Sequence, residues 1–82
     1  MEQFVIAFDG QEQVYDALDA TEDLGTRIIP VLPEIKESCG LALSGPIERA
    51  EEALSRIESH DIPTAGAFRY ERIGKQRKVE EL

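Results

Sequence analysis

The 82-residue sequence predicts a single two-layer α+β domain, and three observations lead there. Runs of strand-forming residues recur at 4–8, 26–31, 41–43 and 67–73. Apolar residues repeat at helical spacing over 10–24 and 46–60, and glycines and prolines mark the boundaries between these stretches. A chain this short buries only about 60% of its unfolded surface, so its core is thin. The 41% apolar composition suffices for one such core.

Phe4-Val5-Ile6-Ala7-Phe8 is apolar on both faces, as suits a central strand of a covered sheet. It stops at Asp9-Gly10, where Asp9 and Glu12 have capping-box spacing. Val14, Ala17, Leu18, Thr21 and Leu24 then follow a helical period that Gly25 closes. Residues 26–31 form a strand that Pro30 and Pro33 confine to a sheet edge, because proline has no amide to pair. Residues 33–38 are polar and irregular, and Leu41-Ala42-Leu43 resumes a short strand. Pro46 fits the first position of a second helix, whose stripe is Ile47, Ala50, Ala53, Leu54 and Ile57 and which ends near His60. Residues 67–73 alternate, with Phe68 and Tyr70 on one face and Arg69 and Glu71 on the other.

Strand, helix, strand, strand, helix, strand is the split βαβ, or ferredoxin-like, pattern. Right-handed crossovers then give an antiparallel sheet in the order 4-1-3-2 with both helices on one face. The domain spans residues 1–73 and its core draws on Phe4, Ile6, Leu18, Leu24, Leu43, Leu54 and Ile57. Residues 74–82 have no periodicity and read as a charged, flexible tail.

Composition excludes several functions. Seventeen acidic against nine basic residues give a net charge of −8, which repels nucleic-acid phosphates and anionic lipid. One cysteine and one histidine make neither an internal disulfide nor a zinc site, so no metal and no cofactor is expected. The N-terminus has no signal-peptide pattern, and no apolar run approaches the roughly 20 residues of a membrane span. A cytoplasmic location follows, with Cys39 a free thiol.

Cys39 is the candidate seat of chemistry. A lone cysteine is usually a small buried hydrophobe, but the flanks Glu37-Ser38 and Gly40 are not those of a core filler. The expected topology puts Cys39 near Gly10, where free amides and the helix dipole favour a thiolate. Ser38 adds a hydroxyl donor, and Gly40 lets a substrate or partner approach the backbone. Lys36 supports a thiolate while Glu34 and Glu37 oppose it. His60 reads as a solvated imidazole at a helix end. Glu48, Glu51, Glu52 and Glu58 read as a solvated helix face. Gly10 and Gly25 lie in no phosphate-binding glycine motif.

Within residues 27–43, Ile29-Pro30, Glu34-Ile35 and Cys39-Gly40, followed by a strand of small apolar residues, match a pattern in order and spacing. This stretch resembles a small bacterial family of selenium/sulfur carrier-like proteins, and the resemblance extends over about residues 4–73. A second proline and a basic residue common in the family are replaced here by Leu32 and Pro33. The Cys-Pro pair of the tRNA-thiolation sulfur carriers is absent. The resemblance implies a persulfide or perselenide on Cys39, around which the expected topology and neighbouring residues set Ser38, Gly40 and Gly10. It also implies a cysteine desulfurase or other sulfur or selenium donor, and an acceptor protein, as partners. A homodimer is compatible with the sequence.

The physical reading agrees, because one nucleophilic thiolate is all that sulfur transfer demands of a carrier. The competing reading is a ferredoxin-like docking or small-molecule regulatory module in which Cys39 has no covalent role. An enzyme pairing Cys39 with His60 is the weakest of the three, since a hydrolase needs a base within hydrogen-bond reach.

Overall fold

The computed structural model describes residues 2–31 and 40–82. Strands β1 (Glu2–Ala7), β2 (Arg27–Pro30), β3 (Leu41–Pro46), β4 (Gly66–Ile73) and β5 (Gln76–Glu81) form one antiparallel sheet. Helices α1 (Gln11–Ala20) and α2 (Ala50–Ser59) pack on one face of it.

The sheet order is β2-β3-β1-β4-β5, which corrects the expected four-strand order 4-1-3-2. The difference is a fifth strand beyond β4. Where the sequence predicts a flexible tail from residue 74, Gly74 and Lys75 turn the chain and β5 pairs with β4 from Ile73↔Gln76 to Phe68↔Glu81. Of the two turn residues only Gly74 has a positive φ, 60°, which a two-residue hairpin turn with glycine in its first position requires. β5 carries a single apolar residue, Val79, so alternation gives no signal for it. Backbone pairing and the packing of Val79 near Tyr70 hold it instead.

Alternation along β1 divides the apolar residues between two layers. Phe4, Ile6 and Phe8 face the helices and are fully buried with Leu43, Val14, Ala17, Ala53 and Ile57. Val5 and Ala7 face the other way and form a second cluster with Ala42, flanked by Ile29, Val31, Ala65, Phe68, Tyr70 and Val79. Of the expected core, Phe4, Ile6, Leu24, Leu43 and Ile57 are buried, whereas Leu18 and Leu54 are half-buried at its margin. Gly45 pairs with Phe4, and a Cβ there would lie 2.7 Å from the Phe4 ring, so the strand passes this aromatic only because the residue is glycine.

Helix boundaries also differ from expectation. Gly10, not Asp9, caps α1, and its N–H donates to Gln13 Oε1 at 3.1 Å. α1 ends at Ala20, a 3-10 turn over Glu22–Leu24 follows, and Gly25 closes it with φ of 73°. The break is fastened by hydroxyls. Thr21 Oγ1 donates to the Ala17 carbonyl at 2.7 Å, and Thr26 Oγ1 has both Thr21 Oγ1 at 2.9 Å and the Thr21 carbonyl at 3.1 Å as acceptors. Pro46 ends β3 with φ of −65° and ψ of 138° and does not open α2; a 3-10 turn, Ile47–Arg49, intervenes.

Candidate functional site

The antiparallel register fixes which residues share an end of the sheet. Ala7, last of β1, pairs with Ala42 near the start of β3. The chain leaves β1 through Phe8 and Asp9 to Gly10, and enters β3 from Gly40. Gly10 and Gly40 therefore lie at the same sheet end, just beyond two neighbouring strands. The segment after α2 returns there too, where the Ala65 N–H donates to the Ala7 carbonyl at 2.8 Å.

Gly40 is exposed and has φ of 93°, a left-handed conformation that glycine adopts without a Cβ penalty. The Val31 N–H donates to its carbonyl at 3.0 Å, one step beyond the β2–β3 ladder that ends at Pro30↔Leu41. This bond brings together the two residues that bound the segment 32–39. Cys39 and Ser38 lie outside the described residues, as do Glu34, Lys36 and Glu37. The expected approach of Cys39 to α1, and its separation from His60, lie outside them as well. Of the expected site, the structure brings together the two glycines.

The electrostatics of this end are mixed. The N-terminus of α1 presents the positive end of its dipole. Asp9 precedes the cap and Glu12 stands in the first turn, both exposed, and their carboxylates compete for that end with any external anion. His60 is exposed at the C-terminus of α2, its Nδ1 2.8 Å from the Arg56 carbonyl oxygen. It borders a hollow shared with Asp16, Asp19, Ala20 and Ile62. A wider hollow of about 660 Å³ is lined by Glu2, Gly25, Arg27 and Pro46 among others. Those residues begin β1, precede and begin β2, and end β3, so it opens at the sheet end opposite Gly10 and Gly40. No group of three metal-ligating side chains occurs among the described residues.

Sequence reasoning missed the Val31–Gly40 closure. By ladder alternation Ile29 and Val31 turn their amides toward β3, while Pro30 sits at the outward position between them, where no amide is needed.

Residues 4–69 match the family model described as "Putative Se/S carrier protein-like". The chain belongs to this family. The match takes in β1 from Phe4, β2, β3, both helices, and β4 as far as Arg69, and it includes Cys39. β5 lies beyond it, so in this Se/S carrier-like chain the added edge strand stands outside the matched span. No curated protein and no solved structure was found to match the chain. No helix among the described residues is long and apolar enough to cross a membrane.

Proposed function

We propose that this protein carries sulfane sulfur or selenium as a persulfide or perselenide on Cys39, within the cytoplasm, between a donor such as a cysteine desulfurase and an acceptor protein. Its membership of the Se/S carrier-like family over a span that contains its single cysteine carries this reading. In the loading step the Cys39 thiolate attacks the terminal sulfur of a donor persulfide. A bond forms from Cys39 Sγ to that sulfur, the donor's S–S bond breaks, and the donor's cysteine leaves as a thiolate, with no net oxidation. Delivery repeats the step with Cys39 as the leaving group. Gly40, exposed at a strand entrance with no Cβ, supports access for two different partners, and the Ser38 hydroxyl and the positive end of α1 at Gly10 favour the charged sulfur.

Mass spectrometry after incubation with a cysteine desulfurase and cysteine tests the reading. The parent chain gains one sulfur atom on Cys39, and Cys39→Ser gains none while keeping its circular dichroism spectrum. A folded parent that acquires no sulfur or selenium from any donor would overturn it.

A further inference from the structure

The two edges of the sheet are built differently. β2 is four residues long and ends in Pro30, two devices that blunt an edge against pairing. β5 is six residues long and contains neither proline nor glycine. It reads Gln76-Arg77-Lys78-Val79-Glu80-Glu81, two cations and two anions about a valine.

Its free groups follow from alternation. The Leu82 N–H donates inward to the Ala67 carbonyl at 3.0 Å. Stepping back by two, residues 80, 78 and 76 direct their backbone groups toward β4, so residues 81, 79 and 77 direct theirs away from the sheet. An antiparallel partner must align outward residues with outward residues. For two copies of β5 related by a two-fold axis, one such register centres on Val79. It sets Lys78 opposite Glu80 of the second copy and residue 77, an arginine, opposite Glu81. Moving the two-fold axis by one residue either way, which shifts the register by two, puts Lys78 opposite Lys78 or Glu80 opposite Glu80.

We propose that β5 pairs antiparallel with β5 of a second copy of this chain about Val79, joining the two sheets into one of ten strands. Charge complementarity selects the register, since like charges directly opposite destabilise a pair and unlike charges stabilise it. Val79 packs in the cluster with Phe68 and Tyr70 on the sheet face away from the helices, so the pairing makes that apolar face continuous across the two-fold. Within one chain Lys78 Nζ lies 2.9 Å from Glu80 Oε1, and both side chains are exposed and able to reach across the edge.

Light scattering on the full chain from micromolar to millimolar concentration tests the proposal. The mass should rise from 9.2 kDa toward twice that value. Val79→Pro removes an outward amide that β4 does not use, so it should remain monomeric with its fold intact by circular dichroism. Lys78→Glu should raise the dissociation constant about tenfold, because both symmetry-related pairs become repulsive. The double reversal K78E/E80K should restore it. A parent that stays monomeric at every concentration, a dimer that persists in V79P, or a double reversal that fails to rescue would each overturn the proposal.

Discussion

Arg56 of α2 donates from Nη2 to Asp23 Oδ2 at 2.9 Å, tying the second helix to the 3-10 turn that follows the first. The guanidinium also reaches the Ala20 carbonyl and Glu52, at 3.3 Å each. One side chain thus spans the two segments of the helical layer where α1 has ended.

The Asp23–Arg56 contact makes stability depend on acidity. The Arg56 hydrogen bond holds the Asp23 carboxyl below its ordinary range, and Arg69 and Lys78 do the same to Glu2 and Glu80. A carboxyl depressed in the folded state contributes stability above its unfolded value of about 4, and that contribution is lost as pH falls through the folded value. Urea midpoints should therefore fall below about pH 4, and Arg56→Gln should flatten that fall while changing the neutral midpoint little, because the pair is exposed. An unchanged acid limb in Arg56→Gln would show that Asp23 has no share in it.

Ile57 and Leu54 lie on one stripe of α2 but at different depths. Ile57 is 1% exposed and Leu54 is half-buried. Ile57→Ala should cost about 2–5 kcal/mol by opening a cavity under the sheet. Leu54→Ala should cost clearly less, since its site can relax into solvent. Chemical denaturation of the two variants gives the ranking, and equal costs would contradict the burial difference.

A methyl at Gly45 would press into the Phe4 ring at 2.7 Å. Gly45→Ala should destabilise the fold by about 1–3 kcal/mol as overpacking. Phe4→Leu in that background should recover part of the loss although Phe4→Leu alone is destabilising, an inversion of sign that a double-mutant cycle reads directly. Additive costs would place the strain elsewhere.

The two threonines that fasten the end of α1 should act nearly independently. Thr21→Val leaves the Ala17 carbonyl without its hydroxyl donor and costs about 1 kcal/mol. Thr26→Val should cost a similar amount in the parent and in Thr21→Val, because the Thr21 carbonyl, 3.1 Å from Thr26 Oγ1, remains as its acceptor when Thr21 Oγ1 has gone. Denaturation of the two single variants and the double variant measures the coupling.

The legible parts of this fold were those that bury apolar side chains with a period. Phe4-Val5-Ile6-Ala7-Phe8 announces a strand covered on both faces, and Ala50, Ala53 and Ile57 announce the buried stripe of α2. Elements held by the backbone alone left no such trace. β5 rests on ladder bonds and one valine, and Pro46, which suits either a helix start or a strand end, was decided by the 3-10 turn after it. The cap of α1 turned on Gln13, whose amide reaches back to Gly10 where Glu12 points to solvent. At the candidate site, Gly40 was legible as a residue that lets a partner approach the backbone, though not its positive φ, and Gly10 as a helix start. Their placement at one sheet end came from the pairing of β1 with β3, which is a property of the whole topology.

The central position of β1 bears on how the chain is made. Its Glu2 pairs with Glu71 and its Gln3 with Pro46, so both neighbours of β1 are translated after it, β3 first and β4 later. Translation delivers about 5–20 residues per second, which leaves Phe4 to Phe8, apolar on both sides, waiting several seconds for β4. During that interval the nascent segment is a natural client for chaperones that hold extended apolar peptides, and slowing translation through residues 47–66 should lengthen its exposure to them.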